Sequence, residues 1–135
     1  MKKVFTLLLF AIGTLFVATS NAQMTSDTIT RPFNTIWQMS NNYITRMDYN
    51  CSVSVTSTLL GTNSGYIYLE SSGDYTTWTS LCKFGLSISG IASTISLSGE
   101  LTGVAKNGYY VRLRTGQSGV NTPTFTYLSG QELWE

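Results

Sequence analysis

The chemistry open to this chain is bounded first by what it lacks: there is no histidine anywhere in it. That removes the commonest general base, proton shuttle and metal ligand together. A Ser-His-Asp or Cys-His site cannot be assembled, and two cysteines alone cannot close a Cys₄ zinc site. The carboxylates of the domain core are Asp48, Glu70, Asp74, Glu100 and Glu132. A glycosidase needs two carboxyl groups about 5–9 Å apart in a cleft. Most fall on outward strand parities or in turns, and their settings single out no pair, so they read as solubilising surface. The Asp-x-Asp-x-Asp spacing of a dedicated calcium loop is absent as well. The expectation is a non-enzymatic protein with no metal and no cofactor.

Binding chemistry is better represented. Trp78, Trp37 and Trp134, with Tyr66, Tyr68, Tyr75 and Tyr110, could supply a stacking platform for sugars. Aromatic faces desolvate well against pyranose rings, and the many Ser, Thr and Asn groups could orient hydroxyls. The competing reading places Trp78 in the core and leaves the tyrosines paving a sheet. Tyr75 stands out because it follows the turn residues Gly73-Asp74. Arg112 and Arg114 share one parity, so they either pair with Glu70 or Glu100 on a neighbouring strand or meet an acidic ligand such as sialic acid or a sulfated glycan. The ligand-binding candidates are therefore Tyr75, Trp78, Tyr110 and Arg112. Cys51 and Cys82 are disulfide candidates, and a bridge closing a loop of about 32 residues would contribute on the order of 3 kcal/mol. The alternative is two buried thiols acting as small hydrophobes.

The elements that must position these residues follow from the N-terminus onwards. Lys2-Lys3, the apolar run Val4–Ala18 and Ser20-Asn21-Ala22 have the layout of a bacterial secretory signal. Residues 1–22 are expected to be that signal, or an apolar anchor if retained. The run falls short of the roughly 20 residues of a membrane-crossing helix. The protein is thus expected to be exported, to the periplasm, the outer surface or the medium. Loss of Lys2 and Lys3 takes the formal charge from +1 to −1. A near-neutral domain gives no reason to expect nucleic acid, or a membrane after signal cleavage, as partner.

Residues 23–34 are polar and read as a flexible lead or an edge strand, and residues 35–135 as one domain. Period-two alternation dominates that domain. Tyr49, Cys51, Val53 and Val55 share one parity, as do Ile67 and Leu69, then Tyr109, Val111 and Leu113, then Phe125 and Tyr127. In the stretch Thr76–Phe84, Trp78, Cys82 and Phe84 share a parity and are expected on one face. Gly-rich turns and Lys106-Asn107-Gly108 separate the runs. No convincing helical stripe follows Gln23. The fold expected is all-β: a single antiparallel β-sandwich of about 7–9 strands with jelly-roll-like packing.

The sequence Gly108-Tyr109-Tyr110-Val111-Arg112-Leu113-Arg114-Thr115, with Thr124-Phe125-Thr126-Tyr127 and Ser129-Gly130-Gln131-Glu132, resembles the end of a small β-sandwich module of tailed-phage structural proteins. Arg31-Pro32-Phe33-Asn34-Thr35 resembles that module's opening, and Gly65–Glu70 one of its strands. The resemblance spans about residues 31–135 and implies a non-enzymatic, often oligomeric, virion-surface or fibre-associated part. Virion modules seldom carry an export signal. Either a bacterium displays the module, or a virus retains its apolar N-terminus. The partners implied are further copies of the chain or other virion or surface proteins. A secreted carbohydrate-binding domain, with a cell-surface glycan as ligand, is the alternative.

Overall fold

The structure is a computed structural model and describes residues 25–39 and 45–134. Residues 1–22, expected as the export signal, lie outside the described residues. Among the described residues there are eight strands: β1 (Thr25–Thr28), β2 (Ile36–Gln38), β3 (Thr45–Thr56), β4 (Thr62–Ser72), β5 (Thr79–Ser89), β6 (Thr94–Ala105), β7 (Tyr110–Ser118) and β8 (Thr124–Trp134). They form two four-stranded antiparallel sheets, ordered β1-β8-β3-β6 and β2-β7-β4-β5. The chain is an all-β sandwich. Its pairings nest, β1 with β8, β2 with β7, β3 with β6 and β4 with β5, as in one long hairpin wound on itself.

The alternating residues account for the core. Met47, Tyr49, Cys51, Val53 and Val55 of β3 are fully buried, facing Ile67 and Leu69 of β4 and Val111 and Leu113 of β7. Each such side chain contributes about 1.5–3 kcal/mol by leaving water. The facing sheets approach closely where Gly99 of β6 meets Phe84 of β5, whose ring occupies the place a Cβ would take. The Asn107-Gly108 turn forms with Gly108 at φ 79°, but it carries the chain from one sheet to the other.

Two bulges change what parity alone would give. Between β4 and β5 the register runs Leu69↔Cys82 and then Glu70↔Ser80, so Leu81 is an extra residue. Between β3 and β8 it runs Asn50↔Ser129 and then Cys51↔Tyr127, which makes Leu128 the extra residue. Each bulge flips the facing of everything beyond it. Trp78 therefore faces away from Cys82 and Phe84, contrary to the shared face expected of them. Glu132 turns inward along with Tyr127.

Residues 23–34 do not hang free where they are described. β1 is an edge strand, and the segment after it crosses the open side of the sandwich. Ile29 N–H donates to the Gly130 carbonyl at 3.2 Å, and Tyr127 Oη donates to the Ile29 carbonyl at 2.6 Å. Arg31 donates twice to Glu132, Nε to Oε1 and Nη2 to Oε2, both at 2.9 Å. Tyr49 Oη donates to Glu132 Oε1 at 2.5 Å. The Arg31 guanidinium also lies 4.7 Å from the centre of the Trp37 ring. Asn34 then docks on β7, its N–H donating to the Leu113 carbonyl at 2.7 Å. Glu132 is only 4% exposed, so its reading as surface is corrected: it is the buried pin of this clasp.

Cys51 lies in β3 and Cys82 in β5, in opposite sheets, and both are free thiols. Burial pushes the Cys51 thiol up to about 11, which leaves almost no thiolate at neutral pH. Iodoacetamide without reductant is expected to place two labels on the unfolded chain and none on Cys51 in the folded one. An unfolded chain that takes no label would show a bridge instead.

Candidate functional site

The outer face of the β2-β7-β4-β5 sheet gathers the charged and aromatic residues. On β4, the outward positions are Tyr66, Tyr68, Glu70 and Ser72; on β7 they are Tyr110, Arg112 and Arg114. The register sets Tyr68 beside Arg114, Glu70 beside Arg112 and Ser72 beside Tyr110. Lys83 of β5 lies beside Tyr68 on the other side.

Glu70 organises this face. It accepts from Arg112 Nε at 2.7 Å and from Arg114 Nη2 at 2.8 Å, with Arg114 Nε 3.1 Å from both carboxylate oxygens. Of the two acidic partners the sequence allowed these arginines, the structure selects Glu70. Although it stands on the outer face, Glu70 is only 6% exposed, which corrects its reading as solvated surface. Burial alone would raise its pKa, but the hydrogen bonds and charges of Arg114 and Arg112 outweigh that and lower it. Such a carboxylate cannot act as a general acid near neutral pH.

Aromatic rings stack on the cations. The Arg112 guanidinium lies 3.9 Å from the centre of the Trp78 ring, and that of Arg114 lies 4.1 Å from Tyr68. Lys83 Nζ sits 3.9 Å from the centre of Tyr66 and 5.3 Å from Tyr68. Each contact is worth about 0.5–1 kcal/mol at a partly exposed site. The result is a ladder, Trp78–Arg112–Glu70–Arg114–Tyr68–Lys83–Tyr66, with three cations against one carboxylate.

The β4–β5 loop finishes the ladder at one end. Asp74 Oδ1 accepts from the N–H groups of Thr76 and Thr77 at 2.9 and 2.7 Å and from Ser72 Oγ at 2.9 Å. Thr77 Oγ1 donates to Oδ2 at 2.9 Å. The two backbone bonds are the main reason the Asp74 carboxyl is held well below its usual range. This tight turn accommodates Tyr75 at φ 67°, a left-handed conformation a tyrosine seldom adopts. It sets the Tyr75 ring edge-on to Tyr110 at 4.9 Å and to Trp78 at 6.4 Å. Tyr75 remains 53% exposed and is the ring most open to solvent among the described residues.

All four ligand-binding candidates, Tyr75, Trp78, Tyr110 and Arg112, thus meet in one cluster, with Tyr66, Tyr68 and Arg114 continuing it. Trp78 is not a core residue. The other tryptophans are elsewhere: Trp37 packs against the core, edge-on to Tyr49 at 6.2 Å, and Trp134 ends β8 in the opposite sheet. Lys83 is the member the sequence did not single out. Its signal is a lone charge in an otherwise neutral strand.

Two other surfaces are distinctive. A shallow polar hollow on the outer face of the β1-β8-β3-β6 sheet is lined by Asp48 and Glu100. Asp48 there is tied to Arg46 at 3.1 Å, and the hollow is open rather than a cleft. The β3–β4, β5–β6 and β7–β8 loops meet at one end of the sandwich, where the buried Asn63 carboxamide accepts from Val120 N–H at 2.7 Å and donates to the Thr56 carbonyl at 3.0 Å. That end is free of charge: no Asp, Glu, Lys or Arg falls within 49–69, 84–99 or 115–131. Leu59, Leu60, Ile91 and Val120 are exposed there.

No protein-family model matches the chain, and no curated protein matches it.

Proposed function

We propose that this chain is a non-enzymatic attachment module of a virion or cell surface, exported by its N-terminal segment. The nested strand pairing is read as jelly-roll winding. Attachment runs through the outer face of the β2-β7-β4-β5 sheet, and the ligand is carbohydrate. One observation carries the reading: Tyr75, Trp78, Tyr110 and Arg112, drawn from a loop and a separate strand, converge on one open, cationic, aromatic face. Tyr75 can stack on a sugar ring. The guanidinium nitrogens of Arg112 and Arg114 not spent on Glu70 can donate to hydroxyl, carboxylate or sulfate oxygens.

A glycan array followed by calorimetry on the best ligand tests this. Trp78→Ala and Tyr75→Ala are each expected to weaken binding at least tenfold. Thr102→Ala, exposed in the opposite sheet, should leave it unchanged. Absence of any glycan ligand, or a Trp78→Ala protein that binds as the parent does, would overturn the assignment. A second reading, a structural module acting by self-association and loop presentation, is favoured by the uncharged loop end and by the unprotected edge of β6.

A further inference from the structure

We infer that the free edge of β6 pairs with β6 of a second copy of this chain, antiparallel about a two-fold axis, joining two four-stranded sheets into one of eight. The inference deepens the self-association reading and is independent of the sugar-binding face.

Among the described residues the sandwich has four strand edges, and three are protected in recognised ways. β1 and β2 are only four and three residues long. β5 carries the Leu81 bulge and Lys83. β6 has neither device. It is twelve residues long and in unbroken register with β3 from Thr94↔Thr56 to Ala105↔Thr45, with Glu100 as its one charge.

Its burial divides the strand in two. Leu101 and Ala105 in the C-terminal half are buried, whereas every residue from Thr94 to Ser98 is exposed. Ile95 and Leu97 lie opposite Val55 and Val53, which are fully buried, so both point to the inner side. They are nevertheless 39% and 44% exposed, because the facing sheet leaves them uncovered. Aliphatic side chains on the inner side of an open, regular edge form a template for another strand.

The occupant follows from charge and register. A two-fold interface sets a segment against itself, so any charge within it meets a like charge. Residues 84–99 carry none. Pairing centred on Ser96 places Ile95 opposite Leu97 twice, both on the inner side, and leaves Glu100 beyond the paired strand. On the outer side, hydroxyls already pair in this manner with β3: Ser96 Oγ donates to Ser54 Oγ at 2.9 Å, and the Thr56 and Thr94 hydroxyls lie 2.7 Å apart.

Light scattering after size exclusion, on the exported protein at tens of micromolar, is the test. The expected mass is that of two chains. Leu97→Lys puts a charge on the inner side of the edge, where its long stem can still reach water in the monomer. Ser98→Lys puts one on the exposed outer side, where no side-chain bond is lost. Each is expected to weaken dimerisation at least a hundredfold while leaving circular dichroism unchanged. A single-chain mass for the parent, a trimer, or a dimer that both lysine variants leave intact would overturn the inference. Trp78→Ala should remain a dimer, so failure of the sugar-binding face and failure of the β6 pairing give different results.

Discussion

Glu132→Ala is expected to lower folding stability by about 3–5 kcal/mol, the range for breaking a buried ion pair by removing one partner. The carboxylate is 4% exposed and accepts three bonds, two from Arg31 and one from Tyr49. Its loss strands a guanidinium and a fully buried phenol together. The Tyr49 hydroxyl shows how dry the site is: burial, then the bond to Glu132, push its pKa far above the ordinary value. Arg31 is held protonated in turn: desolvation lowers its pKa, but the bond and charge of Glu132, with a contribution from Tyr49, together outweigh that and raise it. Glu132→Gln preserves shape and one acceptor, so it should cost less than the alanine. Urea unfolding measures both. Hydrogen exchange adds a spatial signature: residues 25–34 should lose protection first, because the clasp holds them across the open side. Unchanged urea midpoints for Glu132→Ala would remove the clasp from any account of stability.

Glu70→Ala should cost about 2–3 kcal/mol, less than Glu132, because its partner Arg114 is 38% exposed and that pair is correspondingly screened, whereas loss of Glu132 also strands the fully buried Tyr49 phenol. Its larger effect is functional. Without the carboxylate between them, Arg112 and Arg114 repel, and Trp78 and Tyr68 lose the cations they cover. The sugar binding proposed for this face should therefore fall at least as far as in Trp78→Ala. The pH dependence has a definite sign. Glu70 has a lower pKa folded than its ordinary value of 4.5, so the unfolded state binds the proton more readily. Its contribution is full above 4.5 and is lost as pH falls through the lower, folded value. Asp74 is depressed in the same sense. Acid unfolding of Glu70→Gln should accordingly be shallower than that of the parent, with the Asp74 share remaining. An identical acid limb in the two proteins would show that Glu70 is not held by its arginines.

Much of this architecture is written in period-two alternation. The parity of Tyr49, Cys51, Val53 and Val55, of Ile67 and Leu69, and of Val111 and Leu113 identifies the inner faces, because successive strand residues must point to opposite sides. The same rule puts Tyr110, Arg112 and Arg114 outside together, and composition excludes histidine chemistry outright. The sequence therefore suffices for the all-β class, for most of the core and for part of the candidate face. It also nominates Tyr75 and Trp78, but not their meeting with Tyr110. That meeting depends on the Asp74 turn and on the pairing of β4 with β7, whose sequences are some forty residues apart. Trp78 and Glu132 mark the clearest division. Each lies beyond a one-residue bulge, at Leu81 and at Leu128, and each faces the side opposite to the one its parity indicates. A bulge is a mismatch between two strands, so it exists only once the partner strand is in place. Pairing across the sheet turned Trp78 out to the ladder and Glu132 in to the clasp.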